Sequence, residues 1–174
     1  MRILDIRLAM AVALAAASSP VGAQESTSAT YGDWVVRCER DAAVPTKKTC
    51  QMAQVTQVQV TGKSVPFSRL AVMPPASGQP IGLEAQFPVN VSLRAPVIVR
   101  TQDADPGFAA PFDHCLPAGC FAEFELKEDM LKKLRAAEGA GKVTFKDASG
   151  RDVVVPISFK GFREAFDALA KTGD

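Results

Sequence analysis

The sequence predicts a mainly β chain, a β-sandwich that carries two short amphipathic helices in its C-terminal half. Short runs rich in Val, Phe and Thr recur along it, separated by Pro/Gly/Ser clusters such as Pro74-Pro75-Ala76-Ser77-Gly78. Only two stretches, both late, space their apolar residues as a helix would. There is no alternating β-α-β rhythm and no internal repeat, so nothing points to a parallel α/β sheet.

The first segment reads as an export signal. Arg2 and Arg7 supply a positive start diluted by Asp5, residues 8–17 are an uninterrupted apolar run, and Pro20 breaks it before Val21-Gly22-Ala23. The run is too short for a permanent membrane anchor. Small residues at Val21-Gly22-Ala23 predict cleavage after Ala23, giving a signal peptide over 1–23 and Gln24 as the mature N-terminus. No cysteine follows at once, so no lipid anchor is expected, and no second apolar run approaches spanning length. The Ser/Thr/Ala-rich leader, 24–30, is expected to be disordered. Residues 31–174 then make one domain of ordinary size.

Strand-like runs follow at 34–38, 49–60, 67–73, 81–87 and 97–101, and again at 120–126. A late hairpin joins 142–146 to 153–159 through Asp147-Ala148-Ser149-Gly150. The first helix is expected over 127–138, with Met130, Leu131, Leu134 and Ala137 on one face, Glu128 and Asp129 in the first turn, and Gly139 beyond its end. The second, over 162–171, carries Phe162, Ala165, Phe166 and Leu169 at i, i+3, i+4 and i+7.

Removing Arg2, Arg7 and Asp5 with the signal takes the 20 basic and 19 acidic residues to 18 of each. A near-neutral chain has no global field to draw in nucleic acid or anionic lipid.

Cys38, Cys50, Cys115 and Cys120 all lie in the mature chain. An even count in an exported protein favours disulfides, with three connectivities possible. The local pairs are favoured because each flanks a segment able to turn back: a polar loop with Pro45 between Cys38 and Cys50, and Leu116-Pro117-Ala118-Gly119 between Cys115 and Cys120. A redox pair would want a closer spacing, and zinc would want more ligands than the single His114 adds.

Signatures of nucleophilic, phosphate-binding or zinc-dependent catalysis are lacking. His114 sits beside Asp113 and Cys115, but neighbours on a strand point to opposite faces, so Asp113 and His114 are poorly placed to act together. Asp103-Ala104-Asp105 reads as a solvated turn rather than a calcium loop. Lys127, Lys132, Lys133 and Arg135 read as the wet face of the first helix, and Trp34 as a core residue. No catalytic residue, cofactor or metal is expected.

Three segments together carry a resemblance. Gly32-Asp33-Trp34-Val35-Val36-Arg37-Cys38 resembles the opening Gly-Asp-Trp-x-x-x-Cys of the invasion-associated locus B family. Cys115-Leu116-Pro117-Ala118-Gly119-Cys120-Phe121-Ala122 is similar to its central Cys-x-Pro-x-Gly-Cys-x-Ala element, and Pro156-Ile157-Ser158-Phe159-Lys160-Gly161-Phe162 to its closing Pro-x-Ser-x-x-Gly-Phe. The resemblance implies an immunoglobulin-like β-sandwich exported by a Gram-negative, largely alphaproteobacterial type of cell, from a family named for host-cell entry. It brings no agreed catalytic residues. The cysteines, glycines and aromatics that match look architectural.

The expectation is a periplasmic or secreted, non-enzymatic interaction module, binding an envelope or surface protein or polymer through loops at one sandwich end. The turn closed by Cys115 and Cys120 and the loop 103–110 are the candidate surface. Its rivals are an envelope-acting hydrolase whose carboxylates meet only in the fold, and a chaperone-like periplasmic stress factor with an exposed apolar patch.

Overall fold

A computed structural model describes residues 26–44, 46–74 and 80–172; the expected signal peptide, 1–23, lies outside them. Among the described residues the first five strands form an antiparallel meander: β1 (Ser26–Tyr31), β2 (Trp34–Arg40), β3 (Lys48–Val60), β4 (Lys63–Met73) and β5 (Gly82–Phe87). The chain then crosses to a second sheet as β6 (Val97–Arg100) and β7 (Phe108–Ala110). It returns through Pro111 as β8 (Phe112–Leu116) and β9 (Gly119–Glu125), the latter pairing with β5. After α1 (Glu128–Ala136), β10 (Ala140–Lys146) and β11 (Asp152–Ser158) complete the second sheet, and α2 (Phe162–Ala170) follows. The larger sheet runs β1-β2-β3-β4-β5-β9-β8 and the smaller β11-β10-β6-β7. This mainly β chain with two sheets and two helices in its C-terminal half is the architecture the sequence predicts.

Alternation decides which face of the large sheet is inside. Trp34, Val36 and Cys38 on β2 face Cys50 and Met52 on β3, Leu70 and Val72 on β4, and Leu83, Ala85 and Phe87 on β5, all buried. Val97 and Val99, Val143 and Phe145, and Val155 and Ile157 answer them from the smaller sheet. The helix α2 packs on β1, β2 and β3, burying Phe162, Ala165, Phe166 and Leu169, the stripe its periodicity predicts. Each such Phe or Leu contributes roughly 1.5–3 kcal/mol by leaving water.

Three elements differ from expectation. Residues 26–30 of the expected disordered leader belong to β1, which pairs along its whole length with β2. An edge strand exposed on both faces needs no apolar side chains, so hydropathy does not reveal it. The strand β7 lies in a stretch expected to be loop, because three residues running into Pro111 leave too little pattern to read. Finally, α1 stops at Ala136: Ala137 is extended and turns its N–H back to the carbonyls of Leu134 and Lys133, while the Gly139 carbonyl accepts from Phe159 N–H and leads into β10.

Candidate interaction surface

Two of the three motif segments meet in one joint. The turn between β1 and β2 rests on the start of α2, where Asp33 N–H donates to the Lys160 carbonyl at 3.0 Å. Gly32 and Gly161 both adopt left-handed backbone, φ 56° and 83°. A Cβ on Gly32 would overlap the Lys160 carbonyl, and one on Gly161 the Tyr31 carbonyl. Trp34 is fully buried beside them, edge-on to Phe162 at 5.0 Å, with its indole N–H donating to the Ser158 carbonyl at 2.9 Å. The core reading of Trp34 holds, and the joint leaves no room for a ligand.

The cysteines form Cys38–Cys50 and Cys115–Cys120, the two local pairs. Each joins residues directly opposite one another, across β2–β3 and β8–β9. With Cys115 bonded, it offers no thiolate.

The third motif segment is the β8–β9 hairpin at the free edge of the large sheet. Its turn is held from below: Gln86 Nε2 donates to the Ala118 carbonyl at 3.1 Å, and Gly119 is pressed so close to the Phe87 carbonyl that a Cβ would collide with it. Leu116 stands 51% exposed at the tip. His114 stacks on the Phe121 ring, centroids 4.9 Å apart, and its Nδ1 lies 2.8 Å from Asp113 Oδ2. Asp113 and His114 therefore do meet, contrary to expectation. The register shifts between Phe112 and His114, so Asp113 is the extra residue of a bulge and strict alternation fails there. Beside the turn, an open groove of about 370 Å³ is walled by Val55, Phe67, Pro88 and Ala118 over Arg69 and Gln86. Arg69 is held flat by Glu84, at 2.8 Å, and Gln51.

The loop 103–110 is a different kind of element. Asp105 is buried, not solvated: it accepts from Thr101 Oγ1 at 2.9 Å, Gly107 N–H at 3.1 Å and Lys133 Nζ at 3.3 Å. The Gly107 amide first, then Thr101 and Lys133, hold its carboxyl below the usual range against the opposing effect of burial. Asp103 is exposed and paired with Lys142 at 2.7 Å. The last three residues of the loop, Phe108–Ala110, form β7 of the smaller sheet, whereas the Cys115–Cys120 turn lies at the edge of the larger one.

Two residues of the basic face of α1 are likewise committed. Lys133 reaches Asp105 and lies over the Phe108 ring, while Arg135 pairs with Asp167 at 2.6 Å and covers Phe166. These contacts tie α1 to β7 and α2, so this side of the helix is a seam.

The profile of the family described as "Invasion associated locus B (IalB) protein" matches residues 34–170, a span holding all three motif segments apart from Gly32 and Asp33. This chain belongs to the invasion-associated locus B family. Invasion protein B homologues of Brucella abortus, from strains 2308 and 9-941, are each 28% identical over 155 residues, covering 88% of this chain and 84% of the relative. The crystal structure of invasion associated protein b from Bartonella henselae superposes with a TM-score of 0.68 at 19% identity, covering 84% of this chain and 96% of that one. That likeness establishes the fold. Within this invasion-associated locus B fold the matching glycines and aromatics serve the joint or the hairpin, Cys115 and Cys120 close the hairpin, and Cys38 ties β2 to β3. No helix of the described residues is long and apolar enough to cross a membrane.

Sequence reasoning missed two polar residues. Gln54 is buried and bonds both backbone groups of Ser158, on the opposite sheet. Asp147 accepts from Ser149 and Arg151, backbone and side chain alike, in the β10–β11 turn. The Asp-x-Ser-Gly spacing could have flagged Asp147; nothing local flags Gln54.

Proposed function

We propose that this chain is an exported interaction module of the bacterial envelope, periplasmic or secreted, without enzymatic activity of its own. It engages an envelope or surface protein, or a surface polymer, through the tip of the β8–β9 hairpin and the groove beside it. The observation that supports this most is the hairpin's construction. A cross-strand disulfide, the Gln86 bond and the tight seat of Gly119 hold rigid a tip whose most prominent side chain, Leu116, faces water. Rigid presentation of an apolar side chain lowers the ordering cost of binding. Both disulfides and the export signal fit an oxidising compartment. The names of the Brucella and Bartonella relatives support invasion as the setting for such a module.

The test is Leu116→Lys, with Cys115 and Cys120 kept. Partner capture from envelope fractions should fall at least tenfold while the unfolding midpoint stays put. Undiminished capture would remove the hairpin from the proposal.

A further inference from the structure

Every open sheet has edges whose unpaired backbone groups invite another strand, and folded proteins guard them with prolines, bulges, charges or brevity. Among the described residues, three of the four sheet edges are guarded. The β8 edge lies between Pro111 and Pro117, is bulged at Asp113 and carries the Asp113–His114 pair. The β11 edge contains Pro156, and the side chains of Thr56 and Gln54 already occupy the backbone of Pro156 and Ser158. The β7 edge is three residues long and runs into Pro111.

The β1 edge has none of these devices. Ser26-Thr27-Ser28-Ala29-Thr30-Tyr31 is uncharged, lacks proline, keeps unbroken register with β2 and is exposed from Ser26 to Thr30.

We propose that two copies of this chain pair through this edge, β1 against β1 in antiparallel about a two-fold axis, joining two seven-stranded sheets into one. An identical strand is the occupant that an uncharged edge suits. A charged edge would repel its own copy, whereas β1 has no charge with which to select an oppositely charged partner. With the axis at Ser28, Ser26 of one copy lies opposite Thr30 of the other, hydroxyl against hydroxyl. The contact is small, so the dimer is weak and concentration-dependent, with a dissociation constant on the order of 10 µM or above.

The test is sedimentation equilibrium of the processed chain, recovered after export and with its N-terminus read by mass spectrometry. An N-terminus other than Gln24 would count against the cleavage site alone, because the association is measured independently. The average mass should climb from monomer toward dimer between about 5 and about 500 µM. Ser26→Lys combined with Thr30→Lys places like charges opposite one another on the exposed face of β1 and should weaken the dimer at least tenfold without altering the circular dichroism spectrum. Leu116→Lys, on the other edge, should leave it unchanged. A monomer throughout that range, or a dimer indifferent to the β1 lysines, would overturn the proposal.

Discussion

The side-chain amide of Gln54 on β3 pairs with the backbone of Ser158 on β11 as a strand would, donating to its carbonyl at 3.0 Å and accepting from its N–H at 2.8 Å. The same carbonyl accepts from Trp34, and the Gln54 amide also reaches the Asp33 carbonyl at 3.3 Å. One buried side chain thus links the two sheets where the motif joint closes. Gln54→Leu keeps the bulk but strands the Ser158 N–H, and should lower stability by roughly 2–3 kcal/mol. Gln54→Glu should cost more at neutral pH, since a carboxylate has no donor for the Ser158 carbonyl. Urea unfolding of both variants measures this.

Gly32→Ala and Gly161→Ala should each destabilise the protein by about 2–4 kcal/mol, because both positions combine left-handed backbone with a carbonyl where the Cβ must go. Gly150→Ala, also at positive φ but with open space around it, isolates the conformational part and should cost about 1 kcal/mol. Thermal melts of the three variants separate strain from collision.

Loss of the two disulfides should be unequal. Replacing Cys38 and Cys50 by alanine opens a loop of sequence separation 12 and should cost about 3 kcal/mol, against about 2 for Cys115 and Cys120 at separation 5. The second pair should nevertheless matter more for binding, because it fixes the presentation of Leu116. Denaturation and partner capture, run on the same two double variants, should rank them in opposite orders.

Acid should weaken the fold through three carboxyls. Asp147 is held well below the usual range, first by the Ser149 hydroxyl and the Arg151 amide; Lys142 lowers Asp103, and the Gly107 amide lowers Asp105. A carboxyl whose folded value lies below its unfolded value of about 3.9 adds stability that is present above that pH and lost as pH falls toward the folded value. The urea midpoint should therefore drop below about pH 4, and Asp147→Asn should lower it at neutral pH while flattening the acid limb. An acid limb identical in Asp147→Asn and the parent would contradict this.

What was legible in the sequence was local. Alternation in β9, β10 and β11, the stripe on α2 and the Cys-Leu-Pro-Ala-Gly-Cys turn each declare themselves within a dozen residues. The polar edge strand β1 did not, because β2 supplies its pairing and water accepts its side chains. Gln54 was hidden because its partner lies 104 residues away. The burial of Asp105 depends on Lys133 arriving from α1, and the meeting of Asp113 with His114 depends on a bulge that no residue pattern announces.

The most direct measurement is photo-cross-linking in intact cells from a probe residue at position 116, with a matched probe at position 154, an exposed valine on the far sheet. Reproducible capture of an envelope or surface protein from position 116 and not from position 154 is the predicted result. Equal capture from both positions, or none from either with surface polymers also unbound, would contradict an interaction module that works through the β8–β9 hairpin.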